Sequence, residues 1–110
     1  MMARLDDLDD PDYPAYTTGR AAEVLGVRQA FLRALDTAGA VTPQRTDGGR
    51  RRYTRRQLAF AGRVRGLFDQ GHTLAAALRI LALEDALAAE RDLTARLRAR
   101  LARQGRAGEG

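Results

Sequence analysis

The residues with chemistry to offer are arginines, and their spacing is uneven. The stretch Arg45-Thr46-Asp47-Gly48-Gly49-Arg50-Arg51-Arg52-Tyr53-Thr54 sets two glycines inside a basic run that closes on an aromatic ring. Upstream, Arg28-Gln29-Ala30 directly follows Gly26-Val27. A guanidinium is a planar fork of donors that matches phosphate oxygens and the guanine edge. A glutamine amide matches adenine, and an alanine methyl can touch a thymine methyl. All 19 basic residues are arginine, set against 14 acidic ones, for a formal net charge of +5. Residues 1–15 hold five Asp and one Arg, so the body of the chain is more basic than the total suggests. Such a body favours a polyanionic partner, either nucleic acid or an acidic membrane surface.

Other chemistries have little to work with. There is no Cys, which removes disulfides, thiolate metal sites and a cysteine nucleophile. The single His, His72, titrates near neutral pH but falls between two helical stretches, where a structural role is expected. Glu84 and Asp85 are neighbours on a helix, face different ways and have no histidine partner. The expectation is no enzyme, no metal and no cofactor. No apolar run approaches the roughly 20 residues of a membrane span, and the acidic amino terminus lacks a signal-peptide core, so no membrane association and a cytoplasmic setting are expected.

The elements that must position the arginines read as mainly helical. Residues 1–15 form an acidic disordered tail; it is either simply solvated or screens the basic body until DNA displaces it. From Tyr16 an extended piece leads to a cap at Thr18 or Gly19 and a short helix with Ala21, Ala22, Val24 and Leu25 on its apolar face, stopped by Gly26. A second helix follows at once, with Phe31, Leu32, Leu35 and Ala38 in register, and Gly39 stops it. Asp47-Gly48-Gly49 signals a tight turn, so 41–46 and 50–53 can pair as a two-stranded ribbon. A longer helix capped by Thr54 occupies 54–71, with Phe60 and Phe68 in its core. Residues 72–83 restart at Thr73 and either bend or run on into 84–105. There Leu83, Leu87, Leu97 and Leu101 keep alternating 4- and 3-residue spacing, while Glu90 and Thr94 occupy the same seam and Leu93 lies off it. Residues 105–110 should fray.

Residues 22–32 carry the chemistry of a tight helix-turn-helix. Ala22 lets the second helix cross close by, Gly26 makes the turn, and Val27 and Leu32 pack one helix on the other. In that motif the start of the second helix reaches base edges, which nominates Arg28, Gln29 and Ala30 for sequence reading. Arg33, farther along, suits a phosphate or a local ion pair. Arg50 and Arg52 lie on a ribbon whose side chains alternate, so they point away from Arg51 unless twist at the tip returns them. Arg20, Arg55 and Arg56 extend the basic face. Tyr53 either packs the ribbon against the next helix or reaches DNA through its hydroxyl.

Together these residues resemble the MerR family of transcription regulators over about residues 16–82. The likeness runs through Tyr16, Thr17, Gly19 and Ala22, then Gly26-Val27, Leu32-Arg33, Asp36 and Gly39. It continues through Pro43, Arg45, Thr46, Gly48, Gly49, Arg51, Tyr53 and Thr54, and ends at Gly71, Thr73 and Leu74. The wing and the short helical tail look most like the heat-shock repressor (HspR-like) subgroup. The sequence departs from the family at Ala34-Leu35, where two aromatics are usual, and at Arg28, where Ser or Thr usually caps the helix. The resemblance implies a winged helix-turn-helix at 16–82 and a dimerisation helix at 83–104. It implies phosphate contacts from Arg51 and Arg45, and a homodimer joined through Leu83, Leu87, Leu97 and Leu101, often as an antiparallel coiled coil. It also implies a palindromic operator in double-stranded DNA, bent or untwisted on binding. The expected function is a repressor without an effector-binding domain, regulated by concentration or by a protein partner. An excisionase-like DNA bender and a protein-partner adaptor are the alternatives.

Overall fold

The computed structural model describes residues 9–109. The chain divides after Leu74 into two compact units. In the first, the order is β1 (Tyr16–Thr17), α1 (Thr18–Leu25), α2 (Gln29–Thr37), β2 (Gln44–Arg45), β3 (Arg51–Tyr53) and α3 (Arg55–Asp69). The strands form one antiparallel sheet in the order β1-β3-β2. The expected two-stranded ribbon is there, with Gln44 opposite Arg52 and Arg45 opposite Arg51. A third strand joins its far edge, where Tyr16 faces Tyr53 and Thr17 faces Arg52. The sheet thus ties the entrance of the helix-turn-helix to the wing.

Local chemistry explains the helix limits. The first cap is Thr17, one residue before the expected Thr18 or Gly19; its Oγ1 accepts the Arg20 N–H at 3.1 Å. Gly26 ends α1 in the left-handed region at φ 66°, and the Val27 N–H returns to the Ala22 carbonyl at 3.0 Å. Arg65 of α3 donates to the Gly26 carbonyl at 2.9 Å, so the turn is held from a third helix. At the start of α3, Thr54 and Gln57 exchange side chain-to-backbone bonds at 3.0 and 2.9 Å, a complete capping box. The Gln57 amide also donates to the Thr42 carbonyl at 2.8 Å, fixing the approach to β2.

The core of this unit gathers Ala21 and Ala22 of α1, Leu32 and Leu35 of α2, Val41, Tyr53, and Leu58, Ala61 and Val64 of α3. Small alanines on α1 allow the close crossing that its short turn demands. Phe31 and Phe68 meet edge-to-face with ring centroids 5.5 Å apart. Truncating Leu32, wholly buried, to Ala would cost roughly 2–5 kcal/mol.

Residues 9–12, expected as part of a disordered tail, make contacts with the start of α3. Asp10 folds it locally by accepting the Asp12 N–H at 2.8 Å. The Pro11 carbonyl accepts the Arg56 backbone N–H at 3.1 Å, Asp12 pairs with Arg56 at 2.7 Å, and Arg55 donates to the Asp9 carbonyl. A strap is therefore tied to the first turn of α3, where backbone donors lack partners within the helix. The remainder of that acidic segment, 1–8, lies outside the described residues.

The second unit is one helix, α4 (Leu74–Glu109), 36 residues long. It runs unbroken through residue 83, where the sequence reading placed a boundary, and through Gly105, where fraying was expected. Ala, Leu and Arg, all good helix formers, fill it up to Gly105. Leu83, Leu87, Leu93, Leu97 and Leu101 are exposed along it.

Candidate nucleic-acid interface

An open groove of about 420 Å³ lies between the start of α2 and the wing. Gln29 and Arg33 line one side; Arg45, Arg50, Arg51 and Arg52 line the other, with Thr17 and Thr18 at its floor. Arg50, Arg51 and Arg52 thus all border one groove. Arg28, Gln29, Ala30 and Arg33 are all exposed. Arg28 occupies the N-cap of α2 with extended backbone and makes no side-chain cap bond, so the open N–H groups of the first turn lie beside a cation. Both features favour an anion at this helix end.

The arginines divide by what already engages them. Asp36, near the end of α2, accepts Arg51 Nε at 2.9 Å and Arg45 Nη2 at 3.4 Å. Arg45 also donates to the Gly49 carbonyl at 3.0 Å. These two guanidinium groups are thus braced on the protein, and Asp36 couples α2 to the wing. Arg20 pairs with Glu23 at 3.1 Å on α1, and Arg55 is engaged by the strap. Among the described residues, Arg28, Arg33, Arg50 and Arg52 meet no carboxylate. Tyr53 needs correction as a DNA contact: it is completely buried, so its hydroxyl cannot reach a phosphate. That hydroxyl finds no hydrogen-bond partner among the described residues.

Sequence reasoning missed three parts of the site. Thr17 and Thr18 reach the groove because β1 joins the sheet. Asp36 carried a usable signal, as a lone acid on a helix leading into a basic wing. The strap had only its charge, since Asp12 and Arg56 lie 44 positions apart. The Arg56 hydrogen bond holds the Asp12 carboxyl below its ordinary value, and the same bond raises Arg56.

Residues 16–84 match the MerR HTH family of regulatory proteins. The chain belongs to that family. The chain is 38% identical over 78 residues to the putative heat shock protein HspR of Streptomyces coelicolor, covering 70% of this chain and 52% of that protein. Identity is also 38% over 67 residues with the HTH-type transcriptional repressor CarH of Myxococcus xanthus, covering 60% of this chain and 22% of CarH. The chain therefore spans about half the length of the first of these relatives and less of the second. Among solved structures, HiNmlR, a MerR family regulator lacking the sensor domain and bound to promoter DNA, superposes with a TM-score of 0.57 at 26% identity, covering 83% of this chain and 76% of that one. A MerR family transcriptional regulator from Bacillus cereus shares the fold, with a TM-score of 0.56 at 21% identity.

Proposed function

We propose that this MerR-family chain is a sequence-specific DNA-binding transcription regulator, a repressor that acts as a homodimer on double-stranded operator DNA in the cytoplasm. The observation that carries it is the groove, which exposed Gln29 and Arg33 line together with Arg50 and Arg52. Arg28, Gln29 and Ala30 read bases, and Arg33, Arg50 and Arg52 grip phosphates. Arg45 and Arg51 present the wing through Asp36, adding charge from the groups that their braces leave open. The likeness to HiNmlR on promoter DNA supports the DNA partner, and the likeness to CarH supports repression.

Selecting bound genomic fragments at about 150 mM salt, where weak electrostatic binding fades, tests this. A small set of enriched fragments sharing an inverted repeat is expected, and a reporter driven from them should fall when the protein is expressed. Binding without preference at that salt would sink the reading. Gln29→Ala should change which bases matter, and an unaltered preference would remove Gln29 from the reading surface.

A further inference from the structure

Arg28, Gln29 and Ala30 lie between two points at which α3 holds the helix-turn-helix. The first is Gly26, whose carbonyl accepts Arg65 Nη1 at 2.9 Å. The second is Phe31, whose ring meets Phe68 edge-to-face with centroids 5.5 Å apart. Arg65 and Phe68 stand three positions apart on α3 and so share a face. Local chemistry leaves the interval between the two points loosely defined. In its last turn α1 carries no basic residue, where a cation suits the open carbonyls. At the start of α2, Arg28 makes no side-chain cap bond. Arg65 supplies from α3 the cation that α1 lacks. Its guanidinium is itself oriented, because Nε donates to Asp69 Oδ1 at 3.0 Å, one turn farther along α3. An exposed pair of this kind adds little stability. It adds direction, since a planar fork held at Nε has few ways to aim Nη1.

We propose that Arg65, oriented by Asp69, is a specificity-determining positioning residue: it sets the angle at which α2 leaves the turn, and so where Arg28 and Gln29 meet the bases, without touching DNA itself. This rests on the base-reading role of α2 proposed above and adds what aims it. Arg65 stands outside the residues that line the groove, and its charge is already met by Asp69. Arg33, Arg50 and Arg52, which do line the groove, meet no carboxylate among the described residues. The charge that Arg65 carries is thus committed inward. Gln29 shows why the angle matters. A methyl built on Gly19 would stand 3.4 Å from Gln29 Nε2, so the amide lies against the start of α1 and its position follows the angle between the two helices. Hydrogen bonds to base edges are directional and fail with a small tilt, whereas arginines on long flexible stems follow a phosphate through the same tilt. Loss of the latch should therefore lower discrimination between sequences and spare general affinity.

The test compares the full-length chain with Arg65→Ala and Asp69→Asn on two duplexes of equal length, the most enriched genomic fragment and a scrambled version of it. For Arg65→Ala the ratio of the two affinities should fall roughly tenfold, the scale of one lost base contact. Affinity for the scrambled duplex, and its slope against log salt, should not change. A flatter slope would mean that Arg65 meets a phosphate, and an unaltered ratio would mean that the latch aims nothing; either overturns the proposal. Asp69→Asn, an exposed change that spares the fold, should lower the ratio by about threefold. If Arg65→Ala does not fold, an unaltered ratio in Asp69→Asn is the overturning result. Amide exchange separates aiming from general loosening. In Arg65→Ala, protection should drop at Val27 and Phe31, bonded to the Ala22 and Arg28 carbonyls, and hold at Leu58, bonded to the Thr54 carbonyl. An equal drop at all three sites overturns the proposal. A native chain that prefers no fragment sinks the proposed function and this inference with it. One that selects its operator just as sharply after Arg65→Ala sinks this inference alone.

Discussion

At the residue scale, Asp36 joins α2 to the wing through its carboxylate. Its carboxylate is only 18% exposed and accepts from two arginines. Asp36→Asn keeps the shape but removes the charge that makes these bonds strong. Unfolding stability should fall by about 1–2 kcal/mol, read from the midpoint of urea denaturation. An unmoved midpoint would mean that the wing is held by the sheet alone. Tyr53 gives the opposite sign. Its ring fills the core while its hydroxyl is buried without a partner among the described residues. Tyr53→Phe should therefore leave stability unchanged or raise it by about 1 kcal/mol, with operator affinity intact. A drop in affinity would return the hydroxyl to the DNA. The sequence left both fates open for Tyr53, because burial depends on how β1, β3 and α3 converge and not on its neighbours in the chain.

Among the elements, the wing and the strap lend themselves to separate tests. Gly49 sits at φ 79° and its N–H closes the turn on the Thr46 carbonyl at 2.8 Å. Gly48 has no positive φ, and a methyl there would meet only Thr46 Oγ1 at 4.0 Å. Gly49→Ala should thus cost about 1 kcal/mol and Gly48→Ala close to nothing, a difference that thermal unfolding resolves. Equal costs would count against the left-handed turn. The strap answers to pH. Arg56 holds the Asp12 carboxyl below its ordinary value, so the pairing acts above the ordinary carboxylate range and is lost as pH falls through the lower folded value. The protection factor of the Arg56 amide, whose N–H is bonded to Pro11, should fall on acidification below the ordinary carboxylate range and in Asp12→Asn at neutral pH. Exchange that ignores both would mean that Asp12 does not anchor the strap. The helix starting after Thr54 and the turn at 47–49 were legible, because capping and turn chemistry are local. The strand β1 was not, since two residues carry no period. The strap was not, since its partners are distant in sequence and joined by charge alone. The unbroken run of α4 was half legible: its composition allowed continuation, but nothing in it excluded a bend.

For the whole molecule, the proposed function makes affinity a matter of counted charges. Two copies of Arg50 on one operator would displace two counterions, so Arg50→Ala should flatten the slope of log affinity against log salt by about 2 without changing sequence preference. An unchanged slope would place the wing tip off the backbone. The Asp36 brace has one more consequence, a mechanical one. With α2 and the wing locked by a shared carboxylate, the protein works as a calliper of fixed opening. A duplex whose grooves do not match the opening must supply the compliance itself. Pyrimidine–purine steps yield at the least elastic cost and stiff A-tracts resist, so two operators with identical contacted bases would bind with different strength. The stiffness of the untouched base pairs would become part of the address.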